Sequence, residues 1–242
     1  MLAYTPAAPP FIAGNSAQRA ARKAREQLLK AASSRANLPP EALDLRQGWV
    51  VQENDGVPVV KIDKLLREMH FQREPELVMV AEYYEPPNEP EDDDHVGDMS
   101  AAYSHAVHVV ELEVDTETGE IRLLKITSVQ DVGRIINEMG LEAQIEGGIA
   151  MGLGYALSEE LKIESGHVRN PSFRDYKVPT APEVPEIEHH FIESQSSTGP
   201  MGAKGIAELP TIVIAPAVAN AVFAATGKRL RELPLRPELL KT

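Results

Sequence analysis

Cysteine is absent from all 242 residues. That excludes disulfides, thiolate zinc sites, a cysteine nucleophile and iron–sulfur ligation within the chain. Any cluster it works with must sit on another polypeptide. Positive charge is scarce, with 24 Lys and Arg against 37 Asp and Glu and a formal balance of −13. A phosphate backbone needs clustered bases that are not offset, so nucleic acid is set aside as a partner. Long apolar runs are missing too. The longest, Thr211 to Thr226, contains Pro216 and Asn220 and is too short to span a bilayer. The opening Met1-Leu2-Ala3-Tyr4-Thr5-Pro6 has neither the basic nor the apolar region of a signal peptide, and a cytoplasmic location is expected. With 43% hydrophobic and 25% charged residues, the chain reads as an ordinary globular protein with a substantial core.

The patterning alternates between helix and strand signals. Asn15 followed by Gln18 resembles a capping box, and good helix formers predict a helix over 16–33. Its Arg19, Arg22, Lys23, Arg25 and Lys30 read as a solvated face. Gly48 to Gln52 and Val57 to Ile62 flank Asn54-Asp55-Gly56, a hairpin signal, and Asp63 is placed to cap a short helix through Met69. Glu76 to Tyr84 alternates as a strand. Residues 85–98, rich in Pro, Glu and Asp, read as an exposed acidic excursion, and Asp92-Asp93-Asp94-His95 within it lacks the ligand spacing of a calcium loop. Ala106 to Val114 and Ile121 to Val129 are strands joined by a turn that contains Gly119. Leu161 to Ile163 and His167 to Arg169 form a second hairpin, and Glu186 to Glu193 is a strand. His189 and His190 are adjacent in that strand and point to opposite faces, so they do not share an ion. Pro216 at the first position and Gly227 just past the end delimit a buried apolar helix.

Two glycine-rich stretches need a reason of their own. A helix over about 141–160 contains Gly147, Gly148, Gly152 and Gly154, each costing about 1 kcal/mol of helix propensity relative to alanine. Close approach of another backbone or of a ligand is that reason. Further on, Ser197-Thr198-Gly199-Pro200-Met201-Gly202-Ala203-Lys204-Gly205-Ile206-Ala207-Glu208 brings one carboxylate to the start of the apolar helix. Ile206, Ala207, Leu209 and Pro210 cannot neutralise Glu208, and would raise its pKa if they shield it from water, as a general base requires. The competing reading is a glutamate that caps the next helix.

Taken together, Asp131-Val132-Gly133-Arg134, Gln144-Ile145-Glu146-Gly147-Gly148-Ile149-Ala150-Met151-Gly152-Leu153-Gly154 and Gly202-Ala203-Lys204-Gly205-Ile206-Ala207-Glu208 resemble a family. In this order and spacing they are similar to the C-terminal part of the molybdenum-binding subunit of molybdenum hydroxylases, the family of xanthine dehydrogenase, aldehyde oxidase and 4-hydroxybenzoyl-CoA reductase. The resemblance implies an α+β fold, the C-terminal half of a molybdenum-cofactor-binding domain spanning 1–242, with mixed sheets, hairpins and packed helices. It implies a molybdenum ion held by molybdopterin, in bacteria usually the cytosine dinucleotide form, with no metal ligand from this chain. Gln144 then bonds near the pterin and the metal, with Gly147, Gly148, Lys204, Gly205, Ile206 and Ala207 also at the cofactor. Glu208 matches the base that activates the oxygen attacking an electron-poor carbon. Ala207 departs from the family, which has glycine there, and residues 5–11 lack the polar set that the family carries upstream of Gly14.

The same resemblance implies an oxidoreductase active only with partner chains: an N-terminal molybdenum-subunit half, an iron–sulfur subunit and an FAD subunit. The alternative is a non-catalytic structural subunit or truncated remnant, whose glycines only pack against a partner.

Overall fold

The computed structural model describes residues 8–71, 82, 92–94, 96–97 and 102–241. The strand expected over Glu76 to Tyr84 and most of the acidic excursion at 85–98 lie outside the described residues. The fold is α+β, as the sequence implied, and it divides into two compact units, 12–86 and a larger one of 1–11 with 87–242.

The smaller unit contains most of a long helix, α1 (Ala8–Ala36), which begins eight residues before the predicted start. The prolines at 9 and 10 do not prevent this, because backbone N–H groups in the first turn have no helical partner to lose. Strands β1 (Leu43–Arg46), β2 (Trp49–Gln52) and β3 (Pro58–Lys61) form an antiparallel sheet, of which the β2–β3 hairpin was expected and β1 was not. Helix α2 (Ile62–Phe71) follows at once. Asp63 lies inside its first turn and pairs with Arg67 one turn on, so it is not the cap. Leu29, Ala32, Leu43, Val50, Leu65 and Met69 make the core of this unit.

The larger unit is built on β4 (Ala106–Val114) and β5 (Ile121–Asp131), an antiparallel pair whose turn is closed by Gly119 in the left-handed region, φ 78°. Helix α3 (Glu138–Leu157) comes next, capped by Asn137, whose side chain accepts the Gly140 amide. A short exposed hairpin, β6 (Ile163–Glu164) with β7 (His167–Val168), precedes β8 (Glu186–Ile192). Strand β8 lies parallel to β5, and the sheet order is β4-β5-β8. His189 faces Glu146 of α3 while His190 pairs with Glu188 on its own strand, so the two histidines diverge as expected.

Helix α4 (Leu209–Thr226) ends at Gly227 in the left-handed region, φ 73°. Its start corrects the sequence reading. Pro210, not Pro216, occupies the first turn, and Pro216 lies inside the helix on its exposed side. The buried series Ile214, Val218 and Val222, spaced by one turn, holds the helix through the proline. These three pack with Ile126 of β5 and Ile145, Ile149 and Leu153 of α3.

Helices α3 and α4 approach as closely as backbone allows. A Cβ on Gly152 would lie 2.1 Å from Ile214 Cγ2 and 2.9 Å from the Thr211 carbonyl oxygen, and one on Gly148 would lie 2.9 Å from Pro210 Cβ. Gly152→Ala therefore tests the contact. Better helix propensity favours alanine by about 1 kcal/mol, but overpacking costs about 1–3 kcal/mol. The expected outcome is a lower urea midpoint for the larger unit. An unchanged or raised midpoint would show that the helices are free to separate.

Candidate active site

The site is assembled from the end of β5, the middle of α3 and the start of α4. Strand β5 finishes at Asp131, and Gly133, φ 69°, turns the chain away with no room for a side chain. A Cβ there would sit 2.4 Å from the Gly202 carbonyl oxygen and 2.8 Å from the Lys204 nitrogen. The glycine-rich loop thus lies directly on the Asp131-Val132-Gly133 backbone, and Lys204 N donates to Val132 O at 3.0 Å.

Asp131 is the anchor of that loop. Its carboxylate accepts from Lys204 Nζ at 2.6 Å, Ser194 Oγ at 2.7 Å and Gly133 N at 3.2 Å. Burial alone would raise its pKa. The Lys204 ammonium, the Ser194 hydroxyl and the Gly133 amide outweigh that and hold the carboxyl at about 2. Ser104 Oγ donates to Gly205 O at 2.9 Å, and Ile206 packs on the core of the larger unit. Lys204, Gly205 and Ile206 consequently serve the loop's own attachment in this chain.

Immediately after Ile206 the chain turns outward. Ala207 and Glu208, with Ala143, Gln144, Gly147, Gly148, Met151, Thr211 and Ile212, line a cleft of about 730 Å³ between the middle of α3 and the start of α4. Five residues expected at the cofactor or in catalysis, Gln144, Gly147, Gly148, Ala207 and Glu208, are therefore gathered on one surface, and Lys204, Gly205 and Ile206 stand behind it. Glu208 is the residue just before α4, yet its side chain makes no capping hydrogen bond. Among the described residues no ion pair holds the carboxylate either. It is exposed, so the shielding that a dry general base requires does not come from the described residues.

The four interior glycines of α3 differ in what they meet. Gly148 and Gly152 touch α4, and a Cβ on Gly154 would lie 1.9 Å from Glu159 Oε1. Around Gly147 a Cβ would meet nothing within 4 Å, and its backbone needs no positive φ. Gly147 opens into the cleft beside Gln144, so no contact among the described residues accounts for the missing side chain. A group that comes close to the helix backbone from outside fits that vacancy, and the flanking Gln144 amide can both donate to it and accept from it. Among the described residues no cluster of three or more His, Cys, Asp or Glu side chains could hold a metal ion, which suits a cofactor that carries its own metal ligands.

Sequence reasoning passed over Asp131 as an anchor, and Thr211, Met151 and Ile212 as cleft residues. A carboxylate directly before a Val-Gly turn was the available sign of the first. For Thr211 it was the hydroxyl three residues after Glu208.

Comparison with known proteins adds the following. A family model described as molybdopterin cofactor-binding domain matches residues 10–185. A xanthine dehydrogenase molybdenum-binding subunit of Escherichia coli O157:H7 is 42% identical over 133 residues, covering 54% of this chain and 18% of that one. An aldehyde oxidoreductase molybdenum-binding subunit of Escherichia coli K12 is 36% identical over 145 residues, covering 57% and 20%. The chain thus spans about a fifth of the length of these relatives. Quinoline 2-oxidoreductase from Pseudomonas putida 86 shares the fold with a TM-score of 0.79 at 24% identity, over 98% of this chain and 30% of that one. Aldehyde oxidoreductase from Desulfovibrio gigas does so with a TM-score of 0.72 at 24% identity, over 96% and 22%.

The Asp131 anchor yields a test. Asp131→Asn leaves the Lys204 ammonium, largely withdrawn from water, without its counter-charge, at a cost of about 3 kcal/mol. Proteolytic cleavage within 196–205 should accelerate. In the wild-type chain the carboxylate's contribution is complete above its ordinary value of 3.8 and is lost as pH falls through about 2. The variant should lack that acid limb in hydrogen exchange of the loop. Equal cleavage rates would remove Asp131 as the anchor.

Proposed function

The chain belongs to the molybdopterin cofactor-binding domain family, and on that premise we propose that it completes the active site of a molybdenum hydroxylase. In this reading residues 1–242 act as the C-terminal half of the cofactor-binding domain. The α3–α4 cleft receives one face of molybdopterin, in its cytosine dinucleotide form, and Glu208 is the catalytic base for hydroxylation, or the related reduction, of an electron-poor carbon.

Gly147 is the observation that carries the reading. Its side chain is missing where nothing in this chain needs the space, next to Gln144 and across the cleft from Glu208. Gly148, Gly152 and Gly154 pack within the chain, whereas the space at Gly147 is left for a group from outside, and its position beside Gln144 in the cleft favours a cofactor.

Bound molybdopterin brings molybdenum, whose two-electron redox chemistry no side chain here supplies. The residues of this chain have three tasks. Gln144 orients the cofactor by donating from its Nε2 and accepting at its Oε1. Gly147 lets it approach the helix backbone, Gly148 lines the cleft with Pro210 packed against it, and Ala207 lines the cleft at the entry to α4. Glu208 accepts at a carboxylate oxygen the proton of the attacking oxygen, a role open to it because no capping bond occupies the group.

The remaining walls come from an N-terminal molybdenum-subunit half on a partner chain, which also excludes water from Glu208. Electrons leave through iron–sulfur clusters and FAD on further chains, since this one has no cysteine. Met151 and Ile212, 65% and 62% exposed at the cleft, are apolar surface that such a partner covers.

Two variants in the assembled complex test the assignment. Gly147→Ala should keep or raise the stability of α3, by up to about 1 kcal/mol from propensity, while molybdenum and pterin content falls. Glu208→Gln should retain both cofactor and substrate binding and lose about 10²–10⁴-fold in turnover. Full molybdenum occupancy in the first, or turnover within a few-fold of wild type in the second, would return the site to a structural role.

A further inference from the structure

We propose that Thr211 and Tyr155 are positioning residues that fix the Glu208 carboxylate relative to Gln144 and so govern turnover more than binding. The inference rests on the function proposed above and concerns two residues that its catalytic step does not use.

Gln144 and Glu208 belong to different helices, and a base works only if its oxygen is held within hydrogen-bond reach of the proton it takes. Glu208 has no side-chain bond of its own, so the backbone at the start of α4 sets its direction. Two hydrogen bonds from α3 and α4 converge on a single residue of that first turn. Thr211 Oγ1 donates to the Gly148 carbonyl at 3.0 Å, and Tyr155 Oη donates to the Thr211 carbonyl at 2.6 Å. Thr211 N in turn donates to the Glu208 carbonyl at 3.0 Å. A continuous path of hydrogen bonds therefore runs from Glu208 through Thr211 to Gly148, one helical turn beyond Gln144.

The steric fit leaves little slack around this path. Thr211 backbone and Ile214 fill the space over Gly152, and Pro210 fills that over Gly148. Burial raises the Tyr155 pKa, so the phenol remains a donor across the range in which a carboxylate ionises. The Thr211 hydroxyl gives its one proton to Gly148, so it donates to no group in the cleft.

The experiment uses the full chain assembled with its partner and compares Thr211→Val, Thr211→Ser and Tyr155→Phe with wild type. Valine keeps the shape of threonine and removes the donor. A displacement near 1 Å at a reacting group costs about 10²-fold. Thr211→Val should accordingly lower kcat by roughly 10–100-fold with KM and molybdenum content nearly unchanged. Thr211→Ser should recover most of the loss, and Tyr155→Phe should follow the pattern of valine more weakly. Independently of turnover, amides of residues 209–213 should exchange faster with solvent in Thr211→Val than in Thr211→Ser.

Wild-type kcat in Thr211→Val, or a loss of kcat that merely parallels lost molybdenum, overturns the inference. Glu208→Gln measured alongside separates the two claims. If that variant is inactive while Thr211→Val is normal, only the positioning role fails. If Glu208→Gln keeps its turnover, the proposed function fails, and this inference with it.

Discussion

The contact between α3 and α4 is the constraint on which the rest of the larger unit depends. Two helices that meet through Gly148 and Gly152 approach more closely than side chains would permit, and the approach is held by Thr211 and Tyr155. Beneath it, Ile145, Ile149 and Leu153 interlock with Ile214, Val218 and Val222 over Ile126 of the sheet. On its outer side, where α4 begins, the same approach leaves the cleft that Gln144 and Glu208 share. Core and cleft are thus two sides of one packing arrangement.

A second clamp, at Asp131, governs the route by which the chain reaches α4. The glycine-rich loop looks from its composition like a ligand cradle throughout. In the fold its polar features turn inward: Lys204 to the Asp131 carboxylate and the Gly205 carbonyl to Ser104. Only its last two residues, Ala207 and Glu208, reach the cleft. This division is physically economical, because a loop pinned by a charge-assisted bond can present the residue that follows it without that residue making a bond of its own.

Much of this was legible in the sequence. Alternation identified β4 and β5, the clustered glycines marked α3 as a helix with unusual neighbours, and the three motifs together indicated the family. Glu208 was singled out because its neighbours are apolar. What stayed hidden depended on tertiary partners. Pro216 read as a helix start because the burial of Ile214, Val218 and Val222 that carries α4 through it is visible only in the packing. The resemblance placed Lys204 at the cofactor, and nothing local announces that Asp131, 73 residues away, is its partner. The four glycines looked alike in sequence, and only their surroundings set Gly147 apart from the three that pack.

The central claim is that the α3–α4 cleft forms one wall of a molybdopterin site completed by another chain. The most direct measurement is the molybdenum and pterin content of the complex purified through the full chain, determined per copy of the chain. The account expects about one molybdenum and one pterin per copy, both retained through size-exclusion chromatography. A stable, stoichiometric complex that contains neither would contradict it.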